Sequence, residues 1–141
     1  MLAQETSKTL LVNHYNTASE SRLQILDEVR SAVLSARILM SISAEELTLI
    51  LDEAVTNAME HGNRWNESKF VSVSVWVEST VLHIAIEDQG EGFDFNNHKS
   101  DFVKGNLLSS RGRGISLISK FCSPFWSKSG RLVDLQIPLY H

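Results

Sequence analysis

From Phe70 to Asp88 the chain alternates between apolar and polar positions. Val71, Val73, Val75 and Val77 interleave with Ser72, Ser74, Trp76 and Glu78, and beyond Ser79-Thr80 a second alternation sets Leu82, Ile84 and Ile86 on one side. A period of two marks strands with one buried face, so this stretch predicts a β-hairpin turning near Ser79-Thr80. Elsewhere the period lengthens. Leu23, Ile25, Leu26, Val29, Val33, Leu34 and Ile38 recur at three- and four-residue intervals and predict an amphipathic helix from Leu23 to Leu39, with Ser19 or Ser21 as its cap. Its other face carries Glu28, Arg30 and Arg37.

A second helix is signalled at its start. Ser43-Ala44-Glu45-Glu46 matches a capping box, and the apolar row Leu47, Ile50, Leu51, Ala54 and Ala58 carries the helix to His61, where Gly62 is expected to end it in a left-handed conformation. Lys8 to Val12 predicts a short strand, Ile115 to Phe121 a short helix, and Phe125 to Leu139 two strands around Ser129-Gly130. Gln89 to Gly114 holds five of the seven glycines, shows no sustained period and is read as a long loop, either functional, such as a lid, or disordered. The order strand, two helices, hairpin, loop, helix, hairpin predicts an α/β (α+β) two-layer sandwich, a mostly antiparallel sheet covered on one face by helices. One domain over residues 1–141 is expected, with 43% apolar residues for its core.

Charge narrows the partners. Thirteen basic against seventeen acidic side chains leave a net charge of −4, so general attraction to nucleic acid or to anionic membranes is not expected, and any bound anion must be held by local geometry. Every hydrophobic stretch is interrupted well short of a membrane span. The lone Cys122 and a start without basic and apolar leader regions lead to an expected cytoplasmic location. His14, His83, His98 and His141 are too scattered for a metal cluster, and Trp65 and Trp126 read as core aromatics rather than surface anchors.

Three short segments carry chemistry. Glu53 and Asn57 stand four apart on the second helix, with His61 continuing the row, so a carboxylate and an amide share one face beside the apolar stripe. The amide oxygen suits a hard cation such as Mg²⁺, and the carboxylate is free for base chemistry. Alone, that pair also fits a solvated polar face. Asp88-Gln89-Gly90-Glu91-Gly92-Phe93 follows directly on an apolar strand, placing an acceptor carboxylate at a sharp turn whose glycines admit close backbone approach. Such a carboxylate can accept from an exocyclic amine such as that of adenine. Arg111-Gly112-Arg113-Gly114 opens a helix, where unpaired N–H groups and two guanidinium groups suit phosphates. Neither the P-loop nor the Rossmann glycine spacing occurs.

Taken together, Asp52-Glu53-Ala54-Val55-Thr56-Asn57-Ala58-Met59-Glu60-His61-Gly62, Glu87 to Phe93 and Gly112-Arg113-Gly114-Ile115-Ser116-Leu117-Ile118 resemble, in that order, the GHKL ATP-binding fold of gyrase-type topoisomerases, heat-shock chaperones, mismatch-repair ATPases and histidine kinases. Within it, the wording from Glu53 to Gly62 is most similar to the anti-sigma-factor serine kinases of bacterial partner-switching systems. The resemblance implies that Asn57 coordinates Mg²⁺ on the phosphates of ATP, Glu53 is the general base, Asp88 reads adenine, and Gly90, Gly92, Arg111, Gly112, Arg113 and Gly114 bind the nucleotide. It also implies a lid around residues 94–111. Ser129-Gly130-Arg131 stands where many relatives have a Gly-Thr pair.

The implied partners are a STAS-type anti-sigma-factor antagonist as phosphorylation substrate, a sigma factor to sequester, and a second copy in a homodimer. An ATP-gated binding module without transfer is the alternative. A histidine-kinase catalytic fragment fits less well, since no helical hairpin with an acceptor histidine precedes the domain and His14 falls in a strand or turn.

Overall fold

In the computed structural model, residues 7–92 and 110–140 are described, the side chains of 110–113 excepted. Five strands form one antiparallel sheet: β1 (Ser7–Asn16), β2 (Phe70–Glu78), β3 (Val81–Glu87), β4 (Ser123–Ser127) and β5 (Leu132–Pro138), in the order β1-β2-β3-β5-β4. Helices α1 (Ser19–Ser35), α2 (Ala44–Thr56) and α3 (Ser110–Phe121) complete the described fold, which is the α+β arrangement that the periodicities predict.

The core follows from the alternation. Val71, Val73 and Val75 of β2, Leu82, Ile84 and Ile86 of β3 and Val133, Leu135 and Ile137 of β5 are buried against Ile25, Val29 and Val33 of α1 and Leu47, Ile50, Leu51, Ala54 and Val55 of α2. Each fully buried branched side chain contributes roughly 1.5–3 kcal/mol. The opposite sheet face is more polar. There Trp76 stacks on His83 with ring centroids 4.7 Å apart, and His83 Nδ1 lies 3.0 Å from Asp134 Oδ2.

Several boundaries depart from expectation. β1 continues through Asn16 because Tyr15 pairs with Val71 and is buried, its hydroxyl donating to Glu28 Oε1 at 2.9 Å. Ala18 is the N-cap of α1, without a side-chain cap, so neither Ser19 nor Ser21 serves; Ser21 is buried and bonded to Asn16. The helix stops at Ser35, with Arg37 left-handed at φ 54°. Its stripe is the strict four-residue row Ile25, Val29, Val33, which leaves Leu23 and Leu34 about 60% exposed. In α2 the capping box forms as read: Ser43 Oγ accepts from Glu46 N–H at 3.1 Å, and Glu46 Oε1 from Ser43 N–H at 2.9 Å.

Candidate functional site

After Thr56 the second helix widens into a π-helical turn, Asn57–Gly62, and Asn63 N–H closes it on Ala58 O at 2.8 Å. Such turns recur at functional sites because they shift side chains off the α-helical track. Gly62 is not left-handed, contrary to the sequence expectation; among the described glycines only Gly92 (φ 82°) and Gly130 (φ 87°) have positive φ. Gly62 is required for space instead. A Cβ there would stand 2.3 Å from Asp88 Cγ and within 2.7 Å of both carboxylate oxygens.

Glu53 and Asn57 come together with the start of α3. A Cβ on Gly114 would fall 2.8 Å from Glu53 Oε2, 3.3 Å from Asn57 Nδ2 and 3.5 Å from Asn57 Oδ1, so the glycine leaves these two side chains in place against α3. Asn57 is buried, and its Nδ2 has no hydrogen-bond partner among the described residues. An unsatisfied buried amide costs roughly 1–3 kcal/mol, which a polar ligand would recover. Among the described residues no three His, Cys, Asp or Glu side chains form a metal-binding group. A magnesium ion is commonly held by one or two carboxylates together with substrate phosphates; of Asn57 only the amide oxygen is of the donor type such an ion takes, its Nδ2 being a hydrogen-bond donor.

Asp88 ends the apolar run of β3, is buried, and accepts from Gly90 N–H at 2.8 Å through Oδ1, while its own N–H donates to Arg131 O at 2.9 Å. It shares with Asn57 a cleft lined also by Ala54, Ala58, Ile86, Trp126, Gly130, Arg131 and Val133, opening to solvent. Asn57, Asp88 and Arg131 give it a polar lining beside small and branched apolar residues, and its volume of ≈ 10 Å³ is that of about one water, so a larger group enters only as the lining moves apart. Gly92 meets the far rim: a Cβ on it would lie 2.1 Å from Ser129 O. Ser129-Gly130-Arg131 thus borders the Asp88 side of the cleft, with Lys128, Ser129 and Gly130 all at positive φ.

The third segment is helical where a loop was expected. Ser110 already begins α3, so Arg111, Gly112, Arg113 and Gly114 belong to its first turns. Of the lid expected at 94–111, residues 94–109 lie outside the described residues, and Ser110 and Arg111 are helical. The side chains of Arg111 and Arg113 lie outside them too. Trp65 is 43% exposed rather than core, whereas Trp126 is half-buried against the core and lines the cleft. Sequence reasoning missed Asn63, buried beside Asp88; an asparagine just after a helix-ending glycine looks like any polar turn residue.

Known proteins share this framework. A model of the histidine kinase-like ATPase domain matches residues 17–136. The chain is 32% identical over 78 residues to the anti-sigma F factor of Geobacillus stearothermophilus, covering 54% of this chain and 53% of that protein. It is 34% identical over 59 residues to the serine-protein kinase RsbW of Oceanobacillus iheyensis, 42% of this chain and 37% of the relative. With the sensor histidine kinase YdfH of Bacillus subtilis it shares 27% identity over 132 residues, 93% of this chain but 30% of that protein. The matches span about half or less of these relatives.

Proposed function

Because the chain belongs to the histidine kinase-like ATPase domain family, we propose that it binds Mg·ATP in the Asn57–Asp88 cleft and transfers the γ-phosphoryl group to a serine of a STAS-type anti-sigma-factor antagonist. The observation that carries this reading is the convergence of Glu53, Asn57 and Gly114 at one point beside the cleft that holds Asp88. In the same role the protein sequesters a sigma factor, works as a homodimer, and acts in the cytoplasm. The similarity to proteins named anti-sigma F factor and serine-protein kinase RsbW supports that choice over other ATPase activities.

Each side chain has a task in this scheme. Asp88 accepts from the exocyclic amine of adenine, and Ala54, Ala58, Ile86 and Val133, which line the narrow cleft, part to admit the ring. Asn57 would hold the Mg²⁺, which would supply positive charge to offset that of the phosphates. Gly114 and Gly112 let backbone N–H groups in the first turns of α3 approach the phosphates, Gly90 and Gly92 let the chain beside the nucleotide pack on the Gly62 and Ser129 backbone, and Arg111 and Arg113 add positive charge. Glu53 orients the incoming serine and takes its proton as the serine oxygen bonds to the γ-phosphorus; the bond to the β-phosphate oxygen breaks and ADP leaves.

The test is direct. Incubation with Mg·ATP and the cognate antagonist yields phosphoserine on that antagonist, and Glu53→Ala abolishes the product while ADP affinity stays within about threefold. A Glu53→Ala protein that still regulates its partner identifies an ATP-gated module without transfer. Absence of phosphoserine with every cognate partner overturns the kinase reading.

A further inference from the structure

Asn63 is 1% exposed, and its side-chain amide makes three hydrogen bonds. Nδ2 donates to Thr17 Oγ1 at 2.9 Å and to Phe70 O at 3.0 Å, and Oδ1 accepts from Gln89 N–H at 2.7 Å. Those partners sit on three separate stretches: the β1–α1 junction, the start of β2, and the residue directly after Asp88. The network closes on itself, because Phe70 N–H donates to Gln89 Oε1 at 2.6 Å and both the N–H and the hydroxyl of Thr17 donate to Lys69 O. Asn63 is thereby joined to the end of the helix that carries Asn57 and to the strand end that carries Asp88.

The chain is tight at this junction. A Cβ on Gly90 would lie 2.1 Å from Gly62 O, and one on Gly62 would overlap the Asp88 carboxylate. With Gly62 and Gly90 in contact and Gln89 N–H bonded to Asn63, Asp88 is fenced on one side and anchored one residue away. The loop beyond Asn63 is itself strained, Arg64 and Trp65 both having φ above 50°. Strain of this kind persists only where surrounding bonds over-determine the backbone.

We infer that Asn63 is the positioning residue for base recognition: it does not touch the nucleotide, but through Gln89 it fixes the direction of the Asp88 carboxylate and so sets the preference for adenine over guanine. A fixed acceptor discriminates because guanine presents a carbonyl oxygen where adenine presents an amine, and two acceptors facing one another forfeit the bond and leave both unpaired. A carboxylate free to turn away loses that selectivity. This inference rests on the nucleotide-binding reading above.

The experiment compares calorimetric affinities for ADP and GDP in the full chain and two variants. Wild type prefers ADP. Asn63→Ala weakens ADP about tenfold and brings the ADP-to-GDP ratio towards one, while Thr17→Val, which removes one acceptor of Asn63 Nδ2 but leaves the Oδ1 bond to Gln89 N–H, lowers Tm but keeps the ratio. An unchanged ratio in Asn63→Ala, or an equal loss in Thr17→Val, overturns the assignment. Should Asn63→Ala fail to fold, amide hydrogen exchange at Gln89 in the nucleotide-free wild type decides: slow exchange supports the anchor and open-chain exchange overturns it. A wild type that binds neither nucleotide defeats the function reading itself, which is distinguishable from an Asn63 variant that binds ADP selectively.

Discussion

Gly62 and Asp88 are in direct contact, a hydrogen on the glycine standing where any other residue would drive a methyl group to 2.3 Å from the Asp88 carboxyl carbon. Asp88 cannot easily yield, since it is buried and held by Gly90 N–H at 2.8 Å. Gly62→Ala is therefore expected to displace the carboxylate, weaken ADP binding by more than tenfold, and cost about 1–3 kcal/mol as overpacking. Calorimetry and urea denaturation check the two effects, and wild-type values in both would show that the contact is looser than described.

Gly114 makes the opposite case. Its missing Cβ would meet the end of a flexible side chain, Glu53 Oε2 at 2.8 Å, which can swing aside. Replacing a helical glycine by alanine gains up to about 1 kcal/mol in helix propensity, so Gly114→Ala is expected to keep or raise Tm. The displaced carboxylate no longer faces the transferring phosphate, and phosphoserine formation falls about a hundredfold or more. A phosphotransfer assay beside a thermal melt separates these effects; a stable variant with full transfer removes Glu53 from the role of base.

These two glycines show what the sequence reveals and what it withholds. The sheet was legible because Val71 to Val77 and Leu82 to Ile86 alternate without interruption, and α2 because its capping box and apolar row agree. The beginning of α3 was not, since Ser110-Arg111-Gly112-Arg113-Gly114 has no apolar period and glycine disfavours helix; what Gly114 spares is the distant Glu53–Asn57 pair. Gly62 was recognised as special for the wrong reason. Local rules proposed a left-handed terminator, whereas a carboxylate from β3, far along the chain, claims the space. Asn63 left no local signal, because its three partners converge only in the folded protein.

The start of α2 allows a prediction free of the cleft. Ser43 Oγ satisfies Glu46 N–H, and Glu46 answers at Ser43 N–H. Ser43→Ala is expected to cost about 1 kcal/mol by chemical denaturation with ADP affinity unchanged. The cap lies about four helical turns from Asn57 on the same helix, so a marked fall in affinity would mean that the whole of α2, not its far end alone, sets the site.

Burial pushes the Tyr15 hydroxyl up to about 12, and its hydrogen bond to Glu28 acts in the same direction. Burial also raises the Glu28 carboxyl, but hydrogen bonds from Tyr15, Gln24 and Asn13 outweigh it and hold the group below its ordinary value of 4.5. A carboxylate with a depressed folded pKa contributes stability that is present above 4.5 and disappears as pH falls through the lower folded value. The raised tyrosine works at the other limb, its contribution complete below 10 and lost as pH climbs through about 12. Tyr15→Phe removes one donor from Glu28 and the ionisable hydroxyl together. It is expected to lower stability at neutral pH by about 1 kcal/mol, raise the Glu28 pKa towards 4.5 and shift the acid unfolding midpoint upward. Carboxylate NMR titration with acid denaturation tests this, and a Glu28 pKa that stays put in Tyr15→Phe would transfer the depression to Gln24 and Asn13 alone.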